Sequence, residues 1–141
     1  MSTHAARLNT VFHWCNDIAA TRRFYTELLG LEETYFDEKQ GWLTYQIGEL
    51  NVVFIRGSSP QPVLSEWARQ PAYRGGKIEA PSWVIQVSPK DFPVVVLRLK
   101  AAGVPEFQKE PMTPKPGYAM FFVRDPMGTT IEIYAEGVTA P

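Results

Sequence analysis

Asp125-Pro126-Met127-Gly128-Thr129-Thr130-Ile131-Glu132-Ile133-Tyr134 joins a tight turn to an alternating strand. Asp, Pro and Gly within four residues set a hairpin turn. From Thr129 to Ala135 the residues alternate, Ile131 and Ile133 on one side, Thr130, Glu132 and Tyr134 on the other, which is the period of a strand with one face on a core. The partner of this hairpin is Tyr118 to Arg124, with a further extended segment near Glu106 to Glu110.

Moving further toward the N-terminus, the pattern changes from period two to helical spacing. Val95, Leu99 and Ala102, with Val96 alongside, form the stripe of a helix that begins near Phe92-Pro93, where proline is tolerated, and ends at Gly103. Ser82 to Val87 reads as the strand before it. The second half of the chain is therefore β, α, β, β, β. The first half repeats that order. Leu8 to Cys15 is a strand ended by Asn16-Asp17, both good helix N-caps. Ala20, Phe24 and Leu28, with Tyr25 and Leu29 beside them, predict an amphipathic helix over Ala19 to Leu29, closed by Gly30. Strands follow at Glu32 to Asp37, Trp42 to Ile47 and Leu50 to Arg56. Between the halves, Gly57 to Pro81 is rich in Gly, Pro and Ser and reads as a linker with at most a short helix over Val63 to Arg69. A loop of that length is a lid, an exchange arm between subunits or a mobile connector. Trp67 within it is placed to cap a site or to pack on a subunit interface.

Length and composition fit one domain over residues 1–141, with module one at 8–56, the linker at 57–81 and module two at 82–136. The 141 residues are 45% hydrophobic and 21% charged, with a formal net charge of -1. Such a balance gives no footprint for nucleic acid or anionic lipid. A lone cysteine, Cys15, allows no intrachain disulfide and suits a reducing compartment. Met1 to Asn9 lacks the apolar run of a signal peptide, and no stretch has the length of a membrane span, so a cytoplasmic location is expected.

Asp17, followed seven residues later by Phe24-Tyr25 and then by Leu28-Leu29-Gly30-Leu31, resembles the first strand-helix unit of the vicinal-oxygen-chelate superfamily of glyoxalases, bleomycin-resistance proteins and extradiol dioxygenases. The stretch Asp125 to Tyr134 resembles the family's terminal hairpin, with Met127 standing where an aspartate is usual. The likeness spans residues 8–136 apart from the linker. It implies an α+β fold of two βαβββ modules pairing into a cup-shaped mixed sheet, helices on the outer face and the ligand on the concave one.

The resemblance also implies a divalent metal held by up to four side chains, one from the first and fourth strand of each module, two often His or Gln and two Glu. Taken position by position, the first strand offers Thr10, the first strand of module two offers Ser82, and residues 51–55 contain no carboxylate. Only Glu132 matches. His13 would be a second metal ligand if a bulge turned it inward, but strand parity sends His13 and Cys15 to the helix side. The same parity puts Thr10, Phe12 and Trp14, then Trp42, Thr44 and Gln46, on the concave face of module one. In module two it puts Ser82, Val84 and Gln86, then Tyr118, Met120 and Phe122, then Thr130, Glu132 and Tyr134 there, with Arg124 at the mouth. His4 is given no role.

These residues predict a small-molecule-binding protein without the full family metal site, taking an aromatic or hydrophobic ligand against the rings, with Glu132 as anchor or general base. The alternative is a divalent-metal-dependent lyase, isomerase or dioxygenase using Glu132. A third reading is a regulatory or structural dimer with a vestigial pocket. No cofactor is expected, with a divalent metal as the variant case. The expected partners are a small molecule and a second copy of the chain, with neither nucleic acid nor membrane.

Overall fold

Asp17 opens the first helix as a capping residue should: its carboxylate accepts a hydrogen bond from the Ala20 backbone at 2.9 Å. In the computed structural model, which describes residues 6–138, that helix follows strand β1 (Thr10–Cys15). His4 lies outside the described residues. Contacts divide the chain into two compact units, Met1–Gln61 and Pro62–Pro141.

In the first unit α1 (Ile18–Arg22) widens directly into a π-helical segment, Arg23–Leu28. The Leu29 N–H reaches back five residues to the Phe24 carbonyl. The wider turn shifts the helical phase. Ile18, Thr21, Phe24, Tyr25 and Leu29 are buried, while Ala20 and Leu28, expected in the stripe, are half-buried. Three strands follow, β2 (Glu33–Asp37), β3 (Trp42–Ile47) and β4 (Leu50–Arg56), in a sheet of order β1-β4-β3-β2. β1 runs parallel to β4 because the helix carries the chain across, and the other pairs are antiparallel. The helical side of the sheet is the core: Tyr25 lies 4.6 Å from Phe54, ring to ring, with Leu43, Tyr45 and Val52 fully buried around them. His13 stacks on Phe54 at 5.3 Å on this side, and Cys15 is buried.

The second unit has β5 (Ser82–Gln86), α2 (Phe92–Ala101), β6 (Tyr118–Arg124) and β7 (Thr130–Glu136), with sheet order β5-β7-β6. β5 is again parallel to β7. α2 buries Phe92, Val95, Val96 and Leu99. The strand expected at Glu106 to Glu110 does not form. Its neighbourhood runs beside β6 with only isolated pairings, Glu106 with Val123 and Met112 with Met120. The segment bends over residues 107–110, and Pro105 and Pro111 on either side have no N–H with which to extend its pairing.

The short helix expected over Val63 to Arg69 is also absent. From Pro62 onward the presumed linker belongs to the second unit and lies as an extended strap. The Leu64 N–H donates to the Met127 carbonyl, Lys77 to Trp67, and Arg69 to Lys77. Two glycines let the strap approach. A Cβ on Gly128, at φ +80°, would run into the Leu64 backbone, and one on Gly76 would lie 2.6 Å from the Ala68 carbonyl oxygen. Among the described residues no helix is long and apolar enough to cross a membrane.

Candidate functional site

Strand register places the site residues of each sheet in rows. In the second sheet, Ser82, Thr130 and Arg124 form one row, Val84, Glu132 and Phe122 the next, and Gln86, Tyr134 and Met120 the third. The strap covers one end of this face. The Ala68 N–H donates to Thr130 Oγ1 at 2.9 Å, with Ala68 fully buried. Tyr73 stacks on Phe107 at 3.9 Å and meets Phe122 edge-on at 5.0 Å, while its hydroxyl donates to the Ala68 carbonyl. The Arg124 guanidinium donates to the Ser65 carbonyl and lies 4.8 Å over the Trp67 ring, which itself packs on Phe107. Phe122 and Arg124, predicted to face a ligand, are thus occupied by the protein's own strap. Trp67 packs within its own unit.

The other end of the face is open. A cavity of about 460 Å³ is lined by Val84, Pro114, Lys115, Tyr118, Met120, Glu132 and Tyr134. Its volume falls in the range of small-molecule sites. The Tyr118 and Tyr134 rings lie 5.9 Å apart and nearly parallel, and the Tyr134 hydroxyl donates to Glu136. The Lys115 ammonium sits 4.0 Å over the Tyr118 ring. Ser82 and Gln86 are exposed on β5 and do not line the cavity.

Glu132 is the unusual member. It is 8% exposed, and its carboxyl takes part in no hydrogen bond or ion pair among the described residues. Desolvation raises its pKa above the ordinary carboxylate value. Tyr73 is close enough to feel it: burial first, and then the Glu132 charge, raise the pKa of the Tyr73 hydroxyl. A carboxyl held against apolar walls and open only toward the cavity is poorly solvated, and a donor arriving in the cavity would be favoured there.

In the first sheet the predicted residues share one face. Phe12, Val53, Thr44 and Tyr35 form one row, and Trp14, Ile55, Trp42 and Asp37 another. Thr10 Oγ1 donates to Asn9 and the Trp42 indole N–H to Thr44 Oγ1, while Gln46 is exposed. His13 lies on the opposite side against Phe54, so it does not join this face.

The donor chemistry of the chain bears on a metal. Among the described residues no three His, Cys, Asp or Glu side chains converge, and the polar neighbour that shares the Glu132 cavity as a charged group is a lysine. An ammonium and one carboxyl do not fit a divalent cation, which needs several oxygen or nitrogen donors. Sequence reasoning missed Pro114, Lys115 and the strap contacts of Tyr73. The run Pro114-Lys115-Pro116-Gly117 just before β6 was the available signal for a rigid rim.

The family model for the glyoxalase/bleomycin resistance protein/dioxygenase superfamily matches residues 7–133. Among solved structures, a glyoxalase/dioxygenase from Nostoc punctiforme is similar with a TM-score of 0.73 and 16% identity, over 96% of this chain and 98% of that one. Lactoylglutathione lyase from Agrobacterium tumefaciens is similar at 0.59 and 17%, over 95% and 96%. The oxidase ChaP-H2 is similar at 0.66 and 18%, over 98% and 96%. At such identities the likeness is one of fold. No curated protein gives a significant match.

Proposed function

Because the chain belongs to the glyoxalase/bleomycin resistance protein/dioxygenase superfamily, whose members share a scaffold for ligands of many kinds, we propose that it binds an aromatic or hydrophobic small molecule in the cavity of its second sheet. The observation that carries this reading is Glu132: nearly buried, without a protein partner, and lining a cavity otherwise walled by Val84, Pro114, Met120 and two tyrosine rings. A ligand that docks flat on the rings gains by apolar burial, and one hydrogen bond to Glu132 fixes its orientation. With a donor set that does not fit a metal, the carboxyl serves as an anchor.

Methionine-methyl NMR tests this directly, since Met120 lines the cavity. Across a panel of planar antibiotics and metabolites, at least one compound is expected to shift the Met120 methyl signal and raise the Tm. A Met120 signal unmoved by every compound would count against binding. A stoichiometric divalent ion in protein purified without chelator, lost on Glu132→Gln, would replace this reading with the metal-dependent enzyme.

A further inference from the structure

The cavity of the second sheet holds two opposite charges that do not meet. Glu132 sits in the middle of β7, and Lys115 stands in the segment leading into β6, yet no ion pair joins them among the described residues. The Lys115 ammonium is instead drawn over the face of Tyr118. Opposite charges lining one apolar cavity would gain by pairing. Glu132 is held by ladder bonds on both sides, and Lys115 stands in a segment stiffened by Pro114 and Pro116. Tyr118 and Tyr134 present nearly parallel rings in the same cavity.

We propose that the ligand of this cavity is a flat amphoteric molecule. An amine or other N–H donor reaches Glu132, an acidic group meets Lys115, and an aromatic body lies along Met120 and the two tyrosine rings. The proposal rests on the binding reading above and adds the ligand's charge pattern to it. It accounts for a carboxyl that opens from an apolar wall onto the cavity with no protein donor beside it among the described residues: the donor comes with the ligand. An ammonium beside Glu132 also offsets the desolvation that disfavours its ionised form. The acidic group compensates the lysine, so the net charge brought into the cavity is zero.

The test uses 4-(aminomethyl)benzoate and its two-ring homologue, 4′-(aminomethyl)biphenyl-4-carboxylate, against three one-ring controls: benzylamine, 4-methylbenzoate and the uncharged 4-methylbenzyl alcohol. Affinities are read from the Met120 methyl shift. Each charged arm is expected to add about tenfold over the uncharged control. Glu132→Gln should abolish the gain from the amine and leave the gain from the acid, and Lys115→Met should do the reverse. Both variants are expected to fold, since the Glu132 carboxyl makes no hydrogen bond and Lys115 is exposed. If the uncharged control shifts Met120 and the amphoteric probes bind no better, the charge pattern is wrong and the binding site stands. Gains that survive both substitutions arise elsewhere and also overturn it. If no probe moves Met120, both readings fall together.

Discussion

The two sheets repeat one order of elements and use the same face in opposite ways. In the first, the row Phe12, Val53, Thr44 and Tyr35 leaves Phe12 60% and Tyr35 50% exposed, with Trp14 in the next row at 60%. In the second, the matching row of Val84, Glu132 and Phe122 runs from an exposed strand edge to a fully buried ring. Val53 occupies in the first sheet the place that Glu132 has in the second. The difference comes from the strap, which turns half of the second face into core and leaves Glu132 at the boundary, shielded on one side and lining a cavity on the other. Ring content alone does not make a site. What matters is a polar group desolvated by its neighbours and then left without a partner.

Removing the strap's close approach should break this contrast most severely. Gly128→Ala puts a Cβ into the Leu64 backbone at a positive φ, and a loss of about 3 kcal/mol or more is expected in urea denaturation. Near-wild-type stability would mean that the strap is not seated as described. Tyr73→Ala removes the ring that stacks on Phe107 and meets Phe122, at a cost of about 2 kcal/mol. With less cover, Glu132 should titrate closer to the ordinary carboxylate value, which carboxyl-carbon NMR can follow. An unchanged titration would assign the shielding of Glu132 to other residues.

A pH series sharpens the comparison further. The folded-state pKa of Glu132 is raised, so the unfolded chain gives up this proton at lower pH than the folded protein does. The Glu132 contribution to stability is therefore full below the ordinary carboxylate pKa and falls as pH rises through the raised one. Glu132→Gln should flatten that part of the stability profile, measured by urea midpoints from acid to neutral pH. Val53, its counterpart in the first sheet, has no charge to titrate, so the slope belongs to the second unit alone. A variant with the same slope as wild type would remove Glu132 as its source.

Much of the fold was legible because local signals agreed. Asp17 capped its helix, and the strands Trp42–Ile47, Leu50–Arg56 and Tyr118–Arg124 have the boundaries that period-two patterning gave. Parity also separated His13 from the face that carries Phe12 and Trp14. The misses have physical causes that periodicity does not carry. The π-helical turn at Arg23–Leu28 kept Phe24, Tyr25 and Leu29 buried as expected, but its wider winding leaves no trace in the apolar spacing. The segment between prolines 105 and 111 bends, although its side chains suited a strand. The strap was read as a linker because its cohesion lies in backbone hydrogen bonds and close glycine contacts, with few apolar repeats to show it. For the site, Glu132, Tyr118, Met120 and Tyr134 could be placed on a common face from alternation, whereas the occupation of Phe122 and Arg124 depended on a segment without period.

The smallest effect is expected on the bare face. Trp14 is 60% exposed, and its strand neighbours in the core, His13 and Cys15, point to the other side of the sheet. Replacing it with serine removes a ring that is more exposed than covered and leaves no internal cavity, so the change in unfolding free energy should stay at about 1 kcal/mol. Serine also suits an exposed strand position poorly compared with an aromatic residue, a difference well under 1 kcal/mol that acts in the same direction. A loss of about 2 kcal/mol or more, growing with protein concentration, would show instead that this face is covered in solution by a second copy of the chain. In that case both sheets shield their rings, one with a strap from its own unit and the other with a partner, and the contrast drawn between them would be one of means alone.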